Sequence, residues 1–168
     1  MKNTSWIALL FLLLGCQENK PTDDQIFNKY YTPYLEYTSF KSKEATLEKQ
    51  LNEGLAYYLA QNYEAAFDRF SIILEAYIEN QITATFYAAL CLIEMEVTSP
   101  EQKEIVESLL IDTINQNRNP FIREAEWYLS LFYFKNFDGE KALPLLENLA
   151  KTKGTFQVES QAILAKVK

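Results

Sequence analysis

The feature that most constrains the fold of this chain is a repeated pattern of small and aromatic residues. The stretch GLAYYLAQNYEAAFDRF, residues 54–70, aligns with SLFYFKNFDGEKALPLL, residues 130–146, so that adjacent aromatics coincide and Ala66 falls on Ala142. A partial copy, FYAALCLIE, lies between them and places Ala89 in the slot of the first small residue. Self-similarity at intervals of roughly 34 residues indicates stacked supersecondary units. The sequence therefore predicts a repeat architecture.

The repeated units are predicted to consist of helices. Residues 99–102, SPEQ, are a capping box with Pro at the first helical position, and NP at 119–120 repeats that start signal. Asp138 is predicted to cap the helix that follows it, and Gly154 to end that helix. The residue alternation expected of strands is missing. A bend is predicted at Pro144. The predicted helices span residues 43–60, 63–79, 82–97, 100–116, 120–136, 139–152 and 156–167.

The helical repeat resembles the tetratricopeptide repeat, in which an aromatic lies three positions after a small residue and Ala-x-x-x-Phe follows in the second helix. Gly54, Tyr57, Ala66 and Phe70 match that pattern best. The middle copy lacks the alanine of the second helix, and the usual closing prolines are absent. The resemblance implies an all-α fold, an α-solenoid of about three antiparallel helix pairs, with residues 156–167 as a C-terminal capping helix.

In tetratricopeptide proteins the first helices of the pairs line a groove that binds peptides. The corresponding positions here are apolar or aromatic at i, i+4 and i+7, so each helix carries one stripe. Such a groove suits an amphipathic helix or an apolar peptide. A stripe at helical spacing is also typical of a core, and the aromatic segment 25–40 or the last helix could fill the groove from within. The predicted groove residues are Leu51, Leu55, Tyr58, Phe86, Leu90, Ile93, Trp127, Leu131 and Phe134.

The N-terminus has the pattern of a secretory signal. Lys2 precedes the apolar run WIALLFLLL, residues 6–14, which is too short to span a bilayer but has the length of a signal h-region. The run ends in LLGC, residues 13–16, which resembles the lipobox of bacterial lipoproteins. That resemblance implies that Cys16 receives a diacylglycerol and becomes the first residue of the mature chain. A plain N-terminal helix that keeps its leucines is the alternative.

The residues after the signal divide into a tether and an aromatic segment. Residues 17–24 are polar, contain Pro, and are predicted to form a flexible tether. Residues 25–40 hold six aromatic side chains, which need a surface to pack against, and Pro33 interrupts any helix there. The predicted organisation is a signal peptide at 1–15, a lipidated tether and aromatic-rich segment at 16–40, and a repeat domain at 41–168.

Composition argues against several functional classes. The 168 residues carry 16 Lys and Arg against 23 Asp and Glu, and the net charge of −7 disfavours a nucleic-acid partner. The absence of histidine removes the commonest general base and the commonest zinc ligand. The carboxylates are scattered, so we expect no enzyme activity, no metal and no cofactor. Cys91 lies in an apolar stretch and is predicted to be a core residue.

Together these patterns predict a membrane-anchored adaptor or scaffold. Its partners would be another protein or peptide, bound in the groove, and the membrane, reached through the lipid on Cys16. The alternative is a fixed structural subunit of a cell-envelope assembly complex. Under the lipoprotein resemblance, Gln17 in place of Asp after the cysteine favours the outer membrane, with the domain facing the periplasm.

Overall fold

The computed structural model describes residues 20–36, 41, 43–76, 81–117 and 119–168. These residues form eight helices and no strand, which confirms the predicted all-α fold. Each of the seven predicted helices is present, and each of its ends lies within three residues of the predicted position. The helices are α1 Asp23–Tyr30, α2 Ala45–Leu59, α3 Tyr63–Ala76, α4 Ile82–Glu94, α5 Pro100–Asn115, α6 Ile122–Lys135, α7 Gly139–Lys151 and α8 Gln157–Val167.

The helix α1 was not predicted, because residues 17–24 were interpreted as a flexible tether. From Lys20 onward that interpretation is wrong. The Thr22 hydroxyl accepts a hydrogen bond from the Gln25 amide, while the Gln25 side chain accepts one from the Thr22 amide. This reciprocal capping box satisfies two backbone donors that a helix N-terminus otherwise leaves free. Asp23 and Asp24 lie in the first turn, where negative charge favours the helix dipole.

Seven of the helices pack in sequence order. Each helix from α2 to α7 contacts the next helix along the chain, ending with the contact of α7 and α8. Short connections between successive helices make neighbouring helices antiparallel. The resulting arrangement is an array of three helix pairs, α2–α3, α4–α5 and α6–α7, followed by α8, as an α-solenoid requires. Only α1 departs from this order, since it packs against α6.

The turn within each helix pair has the same backbone structure. Gln61, Glu96 and Phe137 adopt positive φ angles of 59°, 53° and 58°. In each turn the next residue donates its amide to a carbonyl five residues earlier, which is the Schellman pattern of a helix C-terminus. The three pairs are therefore equivalent structural units, and the sequence interval between their turns gives the repeat register. In that register Gly54, Ala89 and Ser130 occupy one position, as the sequence alignment predicted.

Close helix contacts lie at the small residues of the repeat. Ala66 and Ala142 are fully buried, and Gly54 is buried against the Phe70 ring. A Cβ atom added at Gly54 would lie 2.6 Å from Phe70 Cε1, which is closer than van der Waals contact permits. The small side chain is therefore required for the approach of α2 and α3.

Of the predicted helix caps at Ser99 and Asp138, the structure contains the first and lacks the second. Ser99 caps α5, since its hydroxyl accepts a hydrogen bond from the Gln102 amide. Asp138 precedes α7 but makes no capping hydrogen bond with its side chain, which instead pairs with Lys141 at 3.0 Å. The prediction that Asp138 caps α7 is wrong, and a residue distant in sequence supplies the cap, as described below. Pro144 lies inside α7, which continues through it as a single helix.

Candidate functional site

The surface built from the first helices of the pairs, α2, α4 and α6, is covered in part by an N-terminal segment. This segment, residues 20–36, is called the strap below. It consists of α1, which packs against α6, followed by residues 31–36, which form no regular structure. Tyr31 leaves the helix in an extended conformation, with φ −75° and ψ 129°. The strap is therefore a peptide bound to the first-helix face of its own chain.

Tyr34 inserts its ring among four aromatic side chains on the array. Its centroid lies 5.3 Å from that of Phe86, 5.9 Å from Tyr87, 6.2 Å from Tyr128 and 6.4 Å from Phe121. Three of these pairs are edge-to-face, the arrangement that the quadrupoles of aromatic rings favour. Among the side chains of the strap, Tyr34 makes the most contacts with other aromatic rings.

Two tyrosines of the array bind the main chain of the strap. Tyr128 Oη donates to the Thr32 carbonyl at 2.7 Å, and Tyr87 Oη donates to the Glu36 carbonyl at 2.7 Å. Tyr87 and Tyr128 are separated by the same interval as the turn residues Glu96 and Phe137, so they occupy one position in successive repeats. Because the acceptors are backbone carbonyls, these contacts do not depend on the side chains at 32 and 36.

A second repeat position also contacts the strap. Glu94 Oε1 accepts a hydrogen bond of 2.6 Å from Tyr31 Oη. Lys135, at the equivalent position of the next repeat, places its ammonium 4.9 Å from the centre of the Phe27 ring. Glu94 follows Tyr87 by seven residues, as Lys135 follows Tyr128. Residues seven apart lie on one side of a helix, so each helix presents two adjacent contacts to the strap.

The beginning of the strap is held by helix ends. Lys20 Nζ donates to the carbonyls of Val167 and Lys168, both at 3.1 Å, at the C-terminus of α8. Asp23 Oδ2 accepts from the Gly139 amide at 3.1 Å and so supplies the cap of α7 that Asp138 does not. Both charges complement the helix dipoles that they meet. The strap is thus joined to α4, α6, α7 and α8.

Burial keeps the phenols at this interface neutral. Desolvation raises the pKa of Tyr31, Tyr58 and Tyr128 well above the ordinary value of 10.0, and nearby Glu94 raises each further. Desolvation likewise raises the pKa of the Cys91 thiol, which is fully buried, as predicted, and unpaired. A thiol in this state is a poor nucleophile. The tyrosines of this face therefore act as neutral hydrogen-bond donors and as aromatic rings.

The nine predicted groove residues do not form an open surface in the structure. All are buried, with at most 4% of each residue exposed. Trp127 and Phe86 meet strap rings, Tyr30 at 6.4 Å and Tyr34 at 5.3 Å. The others belong to the same hydrophobic core. A partner would reach Phe86 and Trp127 only after displacing the strap, and the role of all nine residues in partner binding stays a prediction.

Sequence reasoning missed the residues that contact the strap through polar or charged groups. Tyr87 and Tyr128 each lie one position after a predicted groove residue, and Glu94 and Lys135 do likewise. One position rotates a side chain by roughly 100° around an α-helix. The signal was available, because Tyr87 and Tyr128 are identical residues in aligned slots. Cys16, the predicted lipid attachment site, lies outside the described residues.

Comparisons with other proteins add no identification: no protein family, curated protein or solved structure matches the chain. Two properties of the described part of the chain bear on its chemistry. It contains no group of three or more His, Cys, Asp or Glu residues placed to hold a metal ion. No helix within it is both long and apolar enough to cross a membrane.

Proposed function

We propose that this chain is a membrane-anchored protein-binding scaffold whose first-helix face binds a peptide segment. The observation that carries the proposal is the binding of the strap itself. Tyr87 and Tyr128 bind two carbonyls of the strap main chain, and an aromatic cluster holds Tyr34. Backbone recognition together with a pocket for one side chain is a general means of peptide binding. The resemblance to tetratricopeptide repeats supports the same function.

The proposed site differs from the groove expected from the sequence. It consists of Tyr87, Glu94, Tyr128 and Lys135, with Phe86 and Trp127 beneath the strap. A competing segment would place an aromatic side chain where Tyr34 lies and carbonyls where those of Thr32 and Glu36 lie. Anchoring to the membrane is proposed on the sequence LLGC at 13–16, through a lipid on Cys16.

A binding measurement with a synthetic strap peptide tests the peptide-binding face. In the wild-type chain the tethered strap has a high effective concentration and should exclude a free peptide. Tyr34→Ala should weaken the tethered strap, so that this full-length variant binds a fluorescent peptide of residues 20–36. Leu35→Ala is the matched control, because Leu35 is adjacent but 61% exposed. Its strap should remain in place and exclude the peptide.

The contribution of the Tyr87 and Tyr128 hydrogen bonds to peptide binding is tested in the Tyr34→Ala chain. Adding Tyr87→Phe and Tyr128→Phe to the Tyr34→Ala chain removes both donors to the strap backbone and should weaken peptide binding by roughly tenfold or more, since each lost hydrogen bond contributes about 1 kcal/mol. A Tyr34→Ala chain that melts cooperatively and still binds no peptide would contradict the proposed site.

One observation favours the alternative of a fixed structural subunit. The strap occupies the first-helix face, so a transient ligand would have to compete with a tethered segment. Photo-crosslinking from Tyr128 and from Ile105, which is exposed on α5, distinguishes the two functions. A scaffold for transient peptides should crosslink from position 128 when the strap is weakened by Tyr34→Ala. A fixed subunit should give one partner at constant stoichiometry in the wild-type chain.

A further inference from the structure

The third helix-pair turn differs from the other two in one residue. Gln61 and Glu96 occupy the left-handed position of the first two turns, and Phe137 occupies it in the third. Phe137 is 75% exposed, the largest exposure of any large hydrophobic residue in the described part of the chain. A bulky residue at positive φ is uncommon, and the exposed ring gains no burial there in return. Gln61 and Glu96 form the same turn with polar side chains. The turn therefore does not require a phenylalanine at position 137.

Phe137 lies at the place where the strap enters the folded domain. It lines a hollow of about 430 Å³ with Asp23, Gly139 and Val167. Asp23 is bound to the Gly139 amide, and Lys20 is bound to the Val167 carbonyl. The first described residue of the chain and the exposed ring are therefore at the same end of the array.

The distance from this point to the proposed lipid is limited by chain length. Cys16 and Lys20 are separated by four peptide steps. Fully extended chain covers at most about 3.6 Å per residue, so the anchor reaches no more than roughly 14 Å from Lys20. If Cys16 carries the lipid, as proposed above, the end of the array that carries Phe137 is held beside the bilayer. The strap fixes this placement, because it is bound at its first residue.

We propose that Phe137 contacts the phospholipid bilayer and sets the orientation of the domain on it. The ring provides an apolar contact with the bilayer in addition to the lipid anchor. Two attachment points restrict the orientation of the domain more than one does. At this end Asp138 pairs with Lys141, and Lys168 pairs with Glu147, so attraction to anionic headgroups is not the main contribution. Gln61 and Glu96, in the turns of repeats farther from the tether, remain in water.

Site-directed spin labelling of the full lipidated chain in vesicles tests the inference. The variants are Phe137→Cys and, as a matched control, Gln61→Cys, which places the label at nearly the same φ angle two repeats away. Cys91 is fully buried and should not react. The vesicles contain phosphatidylethanolamine and phosphatidylglycerol, and collision rates are measured with oxygen, which enters lipid, and with a nickel(II) chelate, which does not.

We expect both variants to float with the vesicles. The label at 137 should collide with the nickel chelate several-fold less often than the label at 61, and more often with oxygen. Equal nickel collision rates at the two positions in floating protein would overturn the role of Phe137 and leave the lipid anchor intact. If neither variant floats, the anchor of the proposed function fails, and this inference fails with it. Phe137→Gln, which should melt like the wild-type chain, shows that the turn tolerates the change.

Discussion

At the scale of single residues, Gly54 shows how tertiary contact overrides helix propensity. Ala is a better helix former than Gly by about 1 kcal/mol. Glycine nevertheless lies within α2, because a Cβ at this position would lie 2.6 Å from Phe70 Cε1 and 2.9 Å from Phe70 Cζ. The Phe70 ring is fully buried, so a shift of the ring would have to displace its neighbours in the core.

Gly54→Ala should therefore destabilise the chain. Overpacking costs typically about 1–3 kcal/mol, which exceeds the gain in helix propensity. Chemical denaturation measures the change in the free energy of unfolding. Gly154→Ala is the control, since the atoms nearest its new Cβ would belong to the long side chain of Arg123, at 3.1 Å or more. A Gly54→Ala chain at least as stable as wild type would contradict the close contact of α2 and α3.

The hydroxyl of Tyr58 is buried without a hydrogen-bond partner among the described residues. An unpaired buried hydroxyl costs about 1–3 kcal/mol relative to its hydrated state. Tyr58→Phe should therefore stabilise the chain at neutral pH. Tyr31→Phe is the comparison, because it removes a hydroxyl that donates to Glu94 and should destabilise. Thermal melts of both variants at pH 7 measure the difference, and a destabilised Tyr58→Phe chain would show that the hydroxyl has a partner.

The same tyrosine should make stability fall at alkaline pH. Burial raises its pKa in the folded state above the ordinary value of 10.0, so unfolding releases a proton above pH 10 and the free energy of unfolding falls as the pH rises through that range. Each such group contributes a slope of at most about 1.4 kcal/mol per pH unit. Tyr58→Phe should make the fall in stability above pH 10 shallower by up to that amount, as measured by denaturation between pH 9 and 11.

At the scale of helices, the sequence predicted the repeated elements well and the strap incompletely. The seven helices from α2 to α8 follow from caps and from the recurrence of Gly54, Ala89 and Ser130. The helix α1 was missed although Thr22 and Gln25 have the spacing of a capping box, because the neighbouring polar residues indicated a tether. The cap of α7 could not be predicted, since Asp23 reaches Gly139 only in the folded chain.

The sequence also could not establish which side of each helix contacts the strap. Hydrophobic periodicity defines a stripe, but it does not state which neighbour covers that stripe. The predicted stripe at Phe86 and Trp127 lies between the strap and the core, and the polar contacts come from Tyr87 and Tyr128 beside it. Which side chains contact the strap depends on the course of residues 31–36 in the folded chain.

A pair of phenylalanine substitutions separates core from surface at this scale. Phe86 is fully buried between Tyr34 and Phe121, whereas Phe137 is exposed. Phe86→Ala should lower the free energy of unfolding by about 3–5 kcal/mol, the usual result of deleting a buried ring. Phe137→Ala should change it by less than about 0.5 kcal/mol. If Phe86→Ala melts like the wild-type chain, the strap does not cover this face in solution.

At the scale of the whole molecule, burial is concentrated in two helices. Ten residues of α4 and ten of α6 are buried, compared with five in α2 and three in α3. The strap lies across α4 and α6 and hydrogen-bonds to both. It therefore links the second and third helix pairs, while the first pair packs mainly against α4. In a helical array each unit is stabilised mainly by its neighbours, so stability should decrease toward the first pair.

Amide hydrogen exchange measures this distribution directly. We expect the slowest exchange in α4 and α6 and faster exchange in α2 and α3, because local opening follows buried contacts. Tyr34→Ala should speed exchange in the strap, α4 and α6, and change α2 and α3 little. Leu35→Ala is the control, since its exposed side chain makes little contact. Equal acceleration in every helix would indicate a single cooperative unit, and the strap would then stabilise the entire array and not only its last two pairs.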